Sequence, residues 1–156
     1  MTALFSKTAR VLLASLLAGC SLTAIAQTKV EDAWVRTSVP GQPSSGAFMR
    51  VTADSDSKLL SVQSPVAKTV QIHQSTMKDD VMSMRQVESV VLPAGKPVSF
   101  DPHGYHIMLI DLTAQVQEGS KVPLTLIVEN AKGEKETIEV QAEARALGMA
   151  DHSKMH

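Results

Sequence analysis

The sequence predicts an all-β domain, an antiparallel β-sandwich or Greek-key barrel, and three observations carry that expectation. Short runs of alternating apolar and polar residues recur at roughly ten-residue spacing between Val30 and Ala142. Breakers separate them at Pro40-Gly41, Pro43, Pro65, Pro93, Gly95, Pro97, Pro102, Gly104, Gly119, Pro123 and Gly133, which leaves little uninterrupted length for a helix. The composition is globular, 44% hydrophobic and 20% charged, and an aromatic fraction of 3% makes the core mainly aliphatic.

The expected strands are residues 30–36, 47–52, 58–63, 70–74, 81–91, 98–100, 106–112, 122–128 and 136–141. Alternation is clearest in Thr137-Ile138-Glu139-Val140 and in Leu124-Thr125-Leu126-Ile127-Val128. Asn130-Ala-Lys-Gly133 lies between two such runs and reads as a hairpin connection. No internal repeat is present. The β-domain is assigned to residues 27–142. Residues 143–156 lack strand alternation and are expected to form a mobile tail rich in Met and His, with Met149, His152, Met155 and His156 among its last eight residues.

Residues 1–26 read as an export signal. They carry Lys7 and Arg10 and no acid, then the apolar run Val11-Leu-Leu-Ala-Ser-Leu-Leu-Ala18, and end on the small-x-small triplet Ala24-Ile25-Ala26. The uncharged stretch from Val11 to Ala26 is 16 residues, short of the roughly 20 that span a bilayer as a helix. A competing signal is Leu17-Ala18-Gly19-Cys20, which is similar to a lipobox, where the Cys becomes the lipidated first residue. Cleavage after Ala26 leaves a soluble chain and cleavage before Cys20 a tethered one. Both place the domain outside the cytoplasm, in the periplasm. Cys20 is the single Cys, so no disulfide holds the fold. With 15 Lys+Arg against 16 Asp+Glu, the net charge of −1 has no basic block, which excludes the electrostatic footprint of a nucleic-acid binder.

Enzymatic motifs are absent: there is no Gly-rich phosphate loop, GxSxG elbow, HExxH or CxxC. A Ser-His-Asp set from Ser45, Asp101 and His106 is conceivable by composition, with nothing local to favour it. A blue-copper site needs a Cys thiolate that the domain lacks. The sequence therefore points to a binding protein and not to an enzyme.

What stands out is the placement of imidazoles and thioethers. Val70 and Ile72 share one strand face, so His73 points to the other, away from the core. His106 and Met108 share a face, with Cα atoms about 6.6 Å apart at about 3.3 Å per residue. Met82 and Met84 also share a face, and parity does not choose between them. Met77 and His103 lie close by in sequence. A lone Met on a strand is ordinarily packing and a lone outward His ordinarily solvated. The set together fits one ion, because thioethers are soft ligands that select Cu(I) and imidazole accepts copper in either state. Met and His also escape the oxidation that threatens a thiolate pair outside the cytoplasm. Only the imidazoles would tie affinity to pH, weakening it below about pH 6.

His73, ten residues, Met84, twenty-one residues, His106-x-Met108 resembles the H-x10-M-x21-H-x-M signature of the PCu(A)C family of periplasmic copper chaperones. Val81-Met-Ser-Met-Arg85, Leu92-Pro-Ala-Gly95, His106-Ile-Met-Leu-Ile-Asp-Leu112 and Val122-Pro-Leu-Thr-Leu126 resemble that family's text, over about residues 30–141. The resemblance implies a cupredoxin-like β-sandwich with Cu(I) held at an exposed site by His73, Met84, His106 and Met108, and Met82 becomes a neighbour or auxiliary. It also implies delivery toward the CuA-bearing subunit of cytochrome c oxidase, directly or through a Sco-type thioredoxin-like protein. The alternative is a periplasmic copper storage or resistance protein with no dedicated acceptor. Where the family usually has Pro-Gly-Gly-x-His, this chain has Pro102-His103-Gly104-Tyr105-His106, which makes His103 an extra imidazole and a candidate auxiliary ligand. The tail resembles the Met/His-rich extensions of some members, which implies a second copper, as Cu(II), at Met149, His152, Met155 and His156.

Overall fold

Residues 27–147 are described in the computed structural model of the chain, and all their regular structure is strand. The strands are β1 (Thr28–Arg36), β2 (Ser44–Ala53), β3 (Ser57–Gln63), β4 (Ala67–Lys78), β5 (Val81–Val87), β6 (Val90–Leu92), β7 (Val98–Phe100), β8 (Tyr105–Leu112), β9 (Lys121–Asn130) and β10 (Lys135–Arg145). Their hydrogen-bonded order is β5-β4-β8-β7-β2-β1-β10-β9-β3-β6, with β2 also pairing β8. The sheet curls over itself, so that β3 meets β4 and β6 meets β2 although these strands stand apart in that order. One core lies inside the curl, and its fully buried members include Leu59, Leu92, Ile107, Leu109, Leu124 and Leu126.

Strand alternation does most of the sorting. Along β9, Val122, Leu124, Leu126 and Val128 point inward, and on β8 Ile107 and Leu109 do the same. Their neighbours His106, Met108 and Ile110 therefore fall on the opposite face. The expected hairpin at Asn130 is present. Its side-chain oxygen accepts the backbone N–H groups of Lys132 and Glu134 at 2.9 and 3.0 Å, and Gly133 takes φ +80°.

Three strand expectations are corrected. The run 81–91 is two strands: β5 pairs β4 at one end of the order, and β6 pairs β3 at the other. Met82, Met84, Val90 and Leu92 keep the same parity, which hid the break, but the methionines are half exposed whereas Val90 and Leu92 are buried. The pairing is also not wholly antiparallel, since β1 runs parallel to β10 and β7 parallel to β8. Finally, the strand expected at 136–141 continues to Arg145. Ala142 and Ala144 enter the core, and Glu143, Ala144 and Arg145 pair with Trp34, Val35 and Arg36, so the first three residues assigned to the tail belong to the sheet. Small side chains here read as tail because alanine carries little strand signal.

The β4–β5 connection fixes the register of the edge strand. Asp79 and Asp80 both have positive φ, 51° and 61°, the backbone of a two-residue type I′ hairpin whose twist matches the strands it joins. It sets the pairs Met77↔Met82, Ser75↔Met84 and His73↔Gln86. A slip of one residue would turn Met84 to the other face.

Two stability measurements test these placements. Leu109→Ala, in the core, should cost about 2–5 kcal/mol in urea unfolding. Asp80→Gly, which removes a Cβ from a left-handed position, should add about 0.5–1 kcal/mol.

Candidate metal centre

Parity and register assemble the site on the outer face of β5, β4 and β8. Ile72 and Ile107 are paired across β4 and β8 and point into the core, so the next pair, His73↔His106, points out. The two imidazole rings face each other with centroids 5.8 Å apart. Gln71↔Met108 is the adjacent outward pair, and Met84 lies opposite Ser75 on the other flank of β4. Residues far apart in the chain thus meet because neighbouring strands stand only about 4.8 Å apart.

Each imidazole is oriented by one hydrogen bond. His73 Nε2–H donates to Gln71 Oε1 at 2.9 Å, and His106 Nδ1–H donates to the Gly104 carbonyl at 3.3 Å. With those protons assigned, the lone pairs lie on His73 Nδ1 and His106 Nε2. Both atoms are buried and without a partner. Native structures rarely leave buried polar atoms unsatisfied, and an oxygen acceptor behind each ring is the arrangement that holds an imidazole for a metal. Burial lowers the His73 pKa below the ordinary imidazole value, and repulsion from His106 adds to the effect, so the ring stays neutral.

The thioethers complete the face. Met84, His106 and Met108 line a cavity of about 290 Å³ together with Phe48, Pro102, Gly46 and Arg36; His73 does not line it and joins the group only through its ring, 5.8 Å from that of His106. The Phe48 ring lies over Gly46, where an added Cβ would stand 2.9 Å from its ring edge, and packs against Trp34 at 4.5 Å between centroids. Glycine at 46 is what allows the aromatic wall to approach. Exposure is graded around the cavity: Met84 is 53% exposed, Met108 partly buried and His106 only 4% exposed. The expectation of an exposed site is corrected for His106, which sits on the outer face but is buried.

Met82, 51% exposed, faces Met77 beside the hairpin turn and does not line the cavity. His103 is exposed in the loop before β8, where its backbone N–H is bound by Asp101 Oδ1, and it too stands outside the cavity. Met149, His152, Met155 and His156 lie outside the described residues. The Ser-His-Asp alternative does not assemble. Ser45 donates to the Arg36 carbonyl, Asp101 binds the N–H groups of His103 and Gly104, and His106 Nδ1 is held by Gly104 O. Among the described residues no three His, Cys, Asp or Glu side chains converge on a metal position. Gln71, Gly104 and Phe48 were not anticipated from the sequence. Gln71 was within reach of the period-two rule, since it is two residues from His73 on the same face.

Comparisons with known proteins agree with this fold. The apo PCuAC domain from PmoF1 superposes with a TM-score of 0.60 at 21% identity, covering 76% of this chain and 93% of that one. The copper-bound PCuAC domain from PmoF2 gives 0.57 at 26% identity, covering 76% and 93%. The solution structure of CuI-DR1885 from Deinococcus radiodurans gives 0.56 at 23% identity, covering 83% and 84%. The fold is thus the cupredoxin-like one that the sequence predicted. Among curated proteins, the "Putative lipoprotein Lxx21020" of Leifsonia xyli subsp. xyli is 30% identical over 139 residues, 78% of this chain and 84% of that protein. The family described as "Putative lipoprotein LpqE-like" matches residues 28–143, and the chain belongs to it.

Proposed function

We propose that this protein is an envelope carrier of cuprous copper, held by His73 Nδ1, His106 Nε2, Met84 and Met108. The observation that carries the reading is the pair of buried, unpartnered imidazole nitrogens on two rings 5.8 Å apart, each ring anchored by a hydrogen bond from its other nitrogen, on a face that also carries Met84 and Met108. Two neutral nitrogens and two thioethers form a soft donor set suited to Cu(I) and poor for Mg(II) or Ca(II). The copper-bound PmoF2 domain, a relative in fold at 26% identity, supports the same reading.

Delivery follows from the exposure gradient. With four neutral ligands the bound ion keeps a single positive charge, and an incoming thiolate is drawn to it. Met84, on an edge strand whose residues from Val81 to Gln86 are all exposed, is the first ligand such a thiolate can displace. Met108 follows, and the buried His106 leaves last. The sheet holds the remaining ligands in place while the exchange proceeds. The acceptor we propose is the CuA-bearing subunit of cytochrome c oxidase, or a Sco-type protein that supplies it. A second copper, as Cu(II), at Met149, His152, Met155 and His156 is part of the proposal. The lipoprotein description of the family favours cleavage before Cys20 over cleavage after Ala26, with the carrier tethered at the membrane.

Anaerobic Cu(I) titration should give one tight site in a protein truncated after Arg145. His106→Ala or Met108→Ala should remove most of that affinity, and Gln71→Leu should weaken it about 10–100-fold. Met84→Ala should change apo stability by less than about 0.5 kcal/mol. Rapid transfer to an apo CuA domain or a Sco-type protein supports delivery; transfer no faster than free exchange means storage. Incorporation of labelled palmitate, lost in Cys20→Ser, tests the tether. In the apo protein the unfolded chain takes up a His73 proton more readily than the folded one. The stability contributed at neutral pH should therefore fall as pH drops below about 6.5. Urea unfolding at pH 7.5 and 5.5 should show the loss, reduced in His73→Asn.

A further inference from the structure

Four serines are buried among the described residues: Ser38, Ser45, Ser57 and Ser75. Three of them have settled hydroxyls. Ser38 Oγ accepts the Val116 N–H at 2.8 Å, Ser45 Oγ donates to the Arg36 carbonyl, and Ser57 Oγ donates to the Ser55 carbonyl at 2.7 Å. Ser75, 7% exposed, is the exception, because its Oγ is buried with no partner. A strand serine that needs no hydrogen bond has no reason to remain serine, since an unsatisfied buried hydroxyl costs about 1–3 kcal/mol.

Its position explains it. The buried side-chain polar atoms left without partners among the described residues are His73 Nδ1, His106 Nε2 and Ser75 Oγ, and all three belong to one face. Ser75 follows His73 by two residues on β4 and so shares its direction. It pairs with Met84 on β5, where directly opposed Cβ atoms stand about 4.5–5.5 Å apart. On its other side the Ser75 N–H donates to the Gly104 carbonyl at 3.0 Å, the same oxygen that anchors His106 Nδ1. Residue 75 therefore sits between the carbonyl that anchors the His106 ring and the strand position of Met84.

A hydroxyl oxygen is a hard donor. It adds nothing useful to a Cu(I) ion already held by sulfur and imidazole, but Cu(II) prefers nitrogen and oxygen ligands. We propose that Ser75 Oγ is an oxygen donor of this centre, engaged by Cu(II) and idle toward Cu(I), so that the same face holds copper in both oxidation states. The inference rests on the Cu(I) reading of the face and extends it to a fifth side chain and a second ion. Of the other side-chain oxygens on this face, Gln71 Oε1 is committed to His73, and Gln86, opposite His73 on β5, is exposed rather than buried.

The test uses the chain truncated after Arg145 if it unfolds as cooperatively as the full chain, and otherwise the full chain with His152 and His156 replaced by Asn. Either way, tail imidazoles do not contribute. Cu(I) and Cu(II) affinities are measured by chelator competition for the parent, Ser75→Ala and Ser75→Thr, with EPR spectra of the Cu(II) forms. Ser75→Ala should weaken Cu(II) binding about tenfold, which is about 1.4 kcal/mol, change the Cu(II) EPR parameters, and leave Cu(I) affinity unchanged. Ser75→Thr, which keeps the hydroxyl, should restore both Cu(II) readouts. Equal losses for both ions in Ser75→Ala, or no loss for either, overturn the Ser75 assignment while leaving the Cu(I) site standing. A parent that binds neither ion overturns both readings. Should Ser75→Ala fail to fold, the Thr variant decides, since a changed Cu(II) spectrum or a loss of Cu(I) affinity there refutes the donor role.

Discussion

The antiparallel pairing of β4 with β8 is the constraint on which the site depends. Val70 and Ile72 pair with Leu109 and Ile107 and are drawn inward by burial, so the core fixes the register of the two strands. Once it is fixed, His73 and His106 have no choice but to face each other, and Met108 must stand beside them. The energy that positions the imidazoles thus comes from aliphatic packing on the far side of the sheet. The donors contribute little to it, which leaves them free to differ in exposure and chemistry without loss of fold.

A second layer of control is polar and local. A neutral histidine offers one lone pair, and which nitrogen carries it depends on the hydrogen bond made by the other. Here Gln71 on β4 and Gly104 in the loop before β8 supply the acceptors, so the two free lone pairs are His73 Nδ1 and His106 Nε2. Burial and mutual repulsion keep His73 neutral, which has a double effect: the apo protein is prepared for a cation, and that preparation is a source of acid sensitivity. Gly104 O also receives the Ser75 N–H, so a single carbonyl ties the ring of β8 to the backbone of β4 and keeps the two halves of the face from drifting apart.

Much of this was legible in the sequence because strand parity is a rule of period two and needs no tertiary knowledge. The outward direction of His73 and the shared face of His106 and Met108 followed from their apolar neighbours alone. The choice between Met82 and Met84 did not, since it depends on how far each stands from the turn at Asp79-Asp80, and two aspartates at positive φ are a weak turn signal beside Asn-Gly. The burial of His106 was invisible for another reason. The cavity it lines is walled by Phe48 lying over Gly46 and by Pro102, groups from two other segments, and no local pattern announces that they will gather beside His106. Ser75 was missed because an ordinary serine becomes informative only when its hydroxyl is seen to lack a partner. The strand through Ala142 and Ala144 was cut short for want of bulk in its side chains.

The gradient from Met84 to His106 would, on the proposed reading, resolve a tension that any carrier of a tightly held ion must meet. A site deep enough to exclude adventitious ligands cannot be emptied by a partner that never enters it, while a site open on all sides loses its cargo to any thiol. The curl of the sheet separates the two demands in space. The nitrogen donors belong to paired, interior strands whose geometry is locked by the core, whereas Met84 belongs to β5, an edge strand with one neighbour and a row of free backbone groups on its outer side. In the proposed exchange an acceptor would meet this edge first and displace Met84, the one donor that the edge carries, before it reaches the cavity of about 290 Å³ that His106 and Met108 also line. On the proposed reading retention would be a property of the sheet interior and release a property of its margin, and the two-residue turn that joins β4 to β5 fixes the register between the two.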